Sequence, residues 1–535
     1  MNPACSKIYL NLPKKKTKCA KYIPKNAIYT SPEIQNQIIS ILAEVVREQV
    51  VSDLKSTDVK WFTLLEDGTR DTNNRENISI GIRYVKSGKV FESFLGIYTT
   101  EKLNAQTFTK LTLDILNKNK IDPAHIISQC YDGASVMSGR KGGVAALIEK
   151  SVGRCVPYVH CFNHRLHLVV VRVVTEIPIL KHFFDQAILL HKFFGHGKIA
   201  AIYKGKTIVR LLEQRWSGHL TVVRVIYSNY SEILRTLDEI RKDNSFNGQD
   251  VAKSRGIKLV MLEIDFRFSL VLMKKILEFL KPADAILQER STSLKDANCV
   301  ILSVKSKIQD LRSDEVLQTL VNEAMHLCSE VNSNTENLRP RRDIKISGNM
   351  KNYLLTEPLP SSSSGMISNL DDKIKSAFFE TVDIISNLLK DRFTNNDELI
   401  NAVSSLDEIN MEKLKYFENI GIELPSVEEI TVVKDFLHGK PLDQYFNILY
   451  ENRVAFQKTY CLYAAVATIG CSTAVNESSF STLTAINRPQ RYSMNQQRMA
   501  DLIYLAFGRQ RSREIDFDLF LRKFNNLKNR SLQLF

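Results

Sequence analysis

Ile78 to Val85 alternates with period two, Ser87-Gly88-Lys89 turns the chain, and Val90 to Tyr98 runs on as a second strand. Alternation on both sides of a tight turn is the strongest short-range signature of antiparallel pairing, so the chain is committed to a sheet. Its flanks extend that sheet. Ser31-Pro32-Glu33 is a helix start leading into Ile34 to Val51, and Trp61-Phe62-Thr63-Leu64-Leu65 is a buried strand ending at Glu66-Asp67-Gly68. Downstream, the spacing predicts an amphipathic helix over Ala105 to Asn119 and a strand from His125 to Tyr131 that ends at Asp132. A helix from Gly143 to Lys150 and a short strand from Cys155 to Val159 follow.

Strand, hairpin, helix, strand, helix, strand is the order in which a ribonuclease-H-like α/β core begins. From about Thr175 to Leu437 the pattern is helical. Ile233 to Ile240, Leu259 to Leu287 and Ile367 to Phe393 read as helices, Ser361 to Gly365 as a loop, and Asn332 to Asn349 as irregular. Apolar helices return over Lys458 to Ile469, Asn476 to Asn487 and Met494 to Phe507. The expected architecture is α/β: a ribonuclease-H-like core interrupted by a large all-helical insertion and completed by C-terminal helices. The boundaries are 1–32 for a basic tail, 33–174 for the first part of the core, 175–437 for the insertion and 438–535 for the closing segment.

The net charge of +14 favours a polyanionic partner, though a merely basic soluble protein would also carry it. Nine cysteines, an odd count with no Cys-x-x-Cys, argue against a disulfide framework and for a reducing compartment. No run of eighteen apolar residues suggests a membrane span, and the amino terminus has no apolar signal core. Pro13-Lys14-Lys15-Lys16-Thr17-Lys18 reads as a solvated basic tail, with nuclear import as the functional alternative.

Three acids hold the chemical interest. Asp67 and Asp132 each follow a strand, and Glu477 opens a helix far down the chain. Phosphoryl-transfer sites that use two metal ions are built from carboxylates brought together by folding. Taken singly, Asp-Gly at a strand end is a turn former and an early-helix Glu is favoured by the helix dipole.

The surrounding residues decide between these readings. Phe62-Thr63-Leu64-Leu65-Glu66-Asp67-Gly68-Thr69-Arg70-Asp71, Cys130-Tyr131-Asp132-Gly133-Ala134-Ser135-Val136-Met137-Ser138-Gly139 and Val159-His160-Cys161-Phe162-Asn163-His164-Arg165-Leu166-His167-Leu168 form three blocks. Gln214-Arg215-Trp216-Ser217 and Ser472-Thr473-Ala474-Val475-Asn476-Glu477-Ser478-Ser479-Phe480-Ser481 are the fourth and fifth. Their order and content resemble a transposase of the hAT superfamily, in the branch with a DUF4371-type core and a C-terminal dimerisation segment, similar to transposase-derived MYM-type zinc-finger proteins. The resemblance implies that Asp67, Asp132 and Glu477 are the catalytic, metal-binding carboxylates, with Mg²⁺ or Mn²⁺ as cofactor. It implies that Arg215 and Trp216 meet DNA near the cleaved end, with Trp216 as a stacking platform or else a core residue. His164 and Cys161 fall in a block that supports DNA contact or packing. Zinc is set aside there, because Cys-x-x-His is half a tetrahedral site and no partner pair is evident. Phe480, Met499, Leu502 and Ile503 are implied in dimerisation, or simply close the core.

Two positions depart from the family pattern: Gly68 stands where Glu is usual, and Ser478 where Arg is usual. Only about thirty residues precede the core, and Cys5 and Cys19 are too few for the expected N-terminal zinc finger. The expectation is a nuclear, DNA-binding transposase or transposase-derived protein, a homodimer or higher homo-oligomer with no membrane or small-molecule partner, whose metal-dependent strand cleavage amounts to residual nicking at most. The alternative is a catalytically inactive, domesticated dimeric chromatin interaction protein.

Overall fold

The computed structural model describes residues 31–70, 76–100, 102–195, 197–211, 216–329, 363–394, 397–406, 408–488 and 494–527. The basic tail, the 332–349 stretch and Arg215 therefore lie outside the described residues. Helix α1 (Pro32–Lys55) starts where Ser31 accepts the backbone N–H of Ile34 and Pro32 takes the first turn, where a missing N–H costs nothing. Strands β1 (Phe62–Arg70), β2 (Glu76–Lys86), β3 (Lys89–Thr100), β4 (Ile126–Tyr131) and β5 (Tyr158–His160) form one sheet in the order β3-β2-β1-β4-β5. The first three pair antiparallel, and β4 and β5 add parallel to β1. At the hairpin, Ser87 and Gly88 take φ of 50° and 65°, and both their N–H groups donate to the Asp58 carboxylate, at 2.9 and 2.7 Å. Two successive left-handed residues match the twist of the strands they join.

The sheet has helices on both faces. Helix α2 (Ala105–Lys118) starts at Asn104, whose side chain accepts the Thr107 N–H. It crosses to β4 and, with α3 (Val144–Val152), buries Leu64, Ile80, Ile82 and Ile126. The other face, carrying Leu65, Phe94, Ile97 and Cys130, belongs to a core continuous with the helical block. That block begins at α4 (Phe162–Glu176), directly after β5, and continues through α5 (Pro178–Phe194), α6 (Trp216–Ser228), α7 (Ile264–Gln288) and α8 (Ser363–Phe393). No strand occurs among the described residues between β5 and the carboxyl end. Nor is any helix among them long and apolar enough to cross a membrane.

Three details differ from expectation. The run Leu259 to Leu287 is broken at Glu263, which takes extended geometry between a helix ending at Leu262 and α7. Ser363 to Gly365 is helical rather than loop. β1 runs on past Asp67 to Arg70, because β2 pairs with it as far as Arg70–Glu76.

The chain returns to the sheet through α9 (Gln457–Ala467), α10 (Ala474–Ile486) and α11 (Gln496–Phe507), and ends in α12 (Phe517–Asn526). Helix α11 rests on α1 and β3, with Arg47 paired to the buried Asp501 at 2.7 Å. Ile41 and Val45 of α1 bury Phe520 and Phe524 of α12. The two ends of the described chain therefore share one layer.

Candidate active site

Register brings the two aspartates together. The last paired rung of parallel β1 and β4 is Leu65 opposite Cys130, and Asp67 and Asp132 each lie two residues further on. Side chains alternate along a strand, so Asp67 shares the face of Thr63 and Leu65, whereas Glu66 points to the opposite face. Asp67 accepts the N–H of Gly68 at 2.9 Å, and Asp132 that of Ala134 at 3.3 Å. The turn after β4 is held from β5: Tyr158 donates its hydroxyl to the Asp132 carbonyl at 2.7 Å. His160 packs so closely that a Cβ on Gly133 would stand 2.2 Å from its ring.

Glu477 arrives on a segment bonded to the sheet at each step. The Cys471 carbonyl accepts the Phe162 N–H at 2.8 Å, and Thr473 donates through both its N–H and its hydroxyl to Cys161 Sγ at 3.4 Å. Asn476 Nδ2 donates to the carbonyls of Leu65 and Ser79 at 3.1 and 2.6 Å, and Ser479 donates to the Ser79 hydroxyl at 2.9 Å. Gly81 leaves room for this helix: a Cβ there would meet Val475 and Asn476 at 3.1 Å. Glu477, in the first turn of α10, accepts a hydrogen bond from Asn163 Nδ2 at 3.3 Å.

The electrostatics follow from this convergence. Burial, and then the carboxylates of Glu477 and Asp132, push the Asp67 carboxyl well above its ordinary range. Asp132 and Glu477 both act on Asp67, and all three acids are partly open to solvent. Like charges so gathered lower their free energy by sharing a cation, and an all-oxygen donor set suits a hard divalent ion. Among the described residues, however, no group of three His, Cys, Asp or Glu side chains stands at the spacing of a finished metal site.

Burial lowers His160 to about 3 and His167 to about 4. Their rings form a file with His164, 5.5 Å from His160 and 6.3 Å from His167. Cys161 is 0% exposed, and hydrogen bonds from the Cys130 thiol and from Thr473 bring its thiol down to about 5. Trp216, 2% exposed, is inside the core. Neither offers a surface to a nucleic-acid strand in this conformation, so packing rather than contact describes both. His164 keeps partial exposure.

Met499 and Ile503 are likewise buried within their own chain, and they close the core. Phe480 and Leu502 keep partial exposure. Sequence reasoning passed over Asn163, Tyr158 and Asn476, which orient or anchor the acids. The available signal was their position inside the blocks that carry the acids or adjoin them.

Against known families, residues 9–143 match the model described as DUF4371, the ZMYM1/FAM200 RNase-like domain. The match takes in β1 to β4 with Asp67 and Asp132, and the five-stranded mixed sheet agrees with an RNase-like domain. Such a domain is found in transposase-derived proteins.

Proposed function

We propose that this chain is a hAT-type transposase or a transposase-derived protein that binds DNA and performs metal-dependent strand cleavage and transfer. Asp67, Asp132 and Glu477 hold Mg²⁺ or Mn²⁺ in this reading. Such ions would activate a water or strand-end hydroxyl and stabilise the leaving 3′ oxygen. Asn163 orients Glu477, while Tyr158 and His160 fix the turn that carries Asp132. Ser478, where the family has Arg, donates back to Ala474 O at 2.8 Å and brings no charge to the site. The observation that carries the reading is that Asp67 and Asp132 lie two residues past the last rung of adjacent strands, while Asn476, next to Glu477, donates to the carbonyls of Leu65 and Ser79 in the same sheet. DNA is the partner, the nucleus the compartment, and Phe480 and Leu502 the residues left to contribute to a homodimer.

One observation favours the second reading, an inactive dimeric nuclear interaction protein: no ready-made three-ligand group occurs among the described residues. Nicking of supercoiled plasmid with Mg²⁺ or Mn²⁺ separates the two. Cleavage by the wild type that disappears in Asp132→Ala and Glu477→Ala supports the enzyme. Equal activity in all three leaves binding alone.

A further inference from the structure

At the end of β1 remote from Asp67, the chain borders an open pocket of about 170 Å³. Its walls include Leu54 and Lys55 at the end of α1, Lys60 and Trp61 just ahead of β1, Lys120 beyond α2, and His125 ahead of β4. Lys55, Lys60 and Lys120 are exposed, and none has an ion-pair partner among the described residues. The acid on the rim, Asp122, is engaged in accepting the Ala124 N–H at 2.9 Å. Lys120 holds a left-handed φ of 57°, where glycine or asparagine is the ordinary choice.

Trp61 lies partly exposed among cations. Arg154 stands 4.9 Å from its ring centre and is fixed there by the carbonyls of Ala124 and Ile420, each at 3.0 Å. Lys60, free to swing, stands at 4.7 Å. A simple anion would need the lysines but not the indole, and a neutral aromatic ligand would need the indole but not the lysines. A strand with unpaired bases needs both: stacking on the ring and neutralisation of successive phosphates.

The geometry points to this pocket as a second nucleic-acid site, taking a single-stranded segment with one base on Trp61 and its phosphates among Lys55, Lys60 and Lys120. Six residue steps lead from Trp61 along β1 to Asp67, about 20 Å. That is the length of about six base pairs, so one DNA could reach both places. The site does not use the carboxylates; it shares with the function proposed above only nucleic acid as partner.

The chain has two tryptophans, and with Trp216 buried, Trp61 is the accessible fluorescent reporter. Titrating the full chain with oligothymidylate in EDTA should quench emission saturably, and Trp61→Phe should remove that quenching. By anisotropy of a labelled oligonucleotide, Trp61→Ala should weaken binding about tenfold. The surface double variant Lys60→Ala/Lys120→Ala should flatten the slope of log K against log salt by about 1.4. Quenching that persists in Trp61→Phe, equal quenching by base-free heparin, or no quenching at all would overturn the site. Plasmid nicking on the same preparations keeps the two ideas apart. Quenching without nicking removes the proposed reaction alone, and nicking without quenching removes this pocket alone.

Discussion

Glu66 and Asp67 are consecutive, yet strand alternation gives them opposite surroundings. Asp67, on the central strand just past its last rung with β4, faces other carboxylates. Glu66 is fully buried beneath α2, where the Thr112 hydroxyl donates to one oxygen and the other has no partner among the described residues. Burial pushes its carboxyl up to about 7, from an ordinary 4.5. A folded-state value raised above the unfolded one means stability that is complete below 4.5 and lost as pH rises through 7. The span corresponds to about 3 kcal/mol. Glu66→Gln, which mimics the protonated acid, should flatten the pH dependence of urea denaturation and exceed the wild type in stability at pH 8. Parallel profiles for the two proteins would count against this reading. Asn476→Ala removes two buried hydrogen bonds that hold α10 to the sheet and should cost about 1–3 kcal/mol, measured the same way. At this scale the sequence showed the acids, through their strand-end and helix-start positions. It did not show Asn163 or Tyr158, whose roles exist only once β5 lies beside β4 and α10 has returned.

Helix α10 is placed by contact rather than by its own pattern. Gly81 is the clearest case, since a methyl there would press on Val475 and Asn476, the residues just ahead of Glu477. Gly81→Ala should therefore reduce plasmid nicking by about tenfold or more, by displacing the glutamate, while the melting temperature changes little. Unchanged nicking would mean that the helix position does not matter to activity. The hairpin was legible because turn chemistry and alternation agree. The end of β1 was not: Asp67-Gly68 has the local chemistry of a stop, and only the ladder with β2 carries the strand on to Arg70. The break at Glu263 was hidden in the same way, inside an apolar run that continues across it.

Across the whole molecule, α1 packs against both α11 and α12, so the closing segment is part of the fold as well as a surface. Ile503→Asp should accordingly abolish soluble folded protein, because it buries a charge without a partner. Leu502→Glu should fold. If the remaining surface forms a homodimer, light scattering in dilute solution will show Leu502→Glu as a monomer beside a dimeric wild type. A wild type already monomeric would remove the interface. The layered core was readable from element order, whereas the burial of Trp216 and Met499 was not, because an apolar side chain suits a core and an interface equally. The most direct measurement is Mn²⁺ uptake, followed by the loss of the free-ion paramagnetic resonance signal on adding protein. We expect saturable uptake by the wild type, strongly weakened in Asp67→Ala, Asp132→Ala and Glu477→Ala alike. Equal uptake by all four proteins, or none by the wild type, would contradict a shared carboxylate metal site.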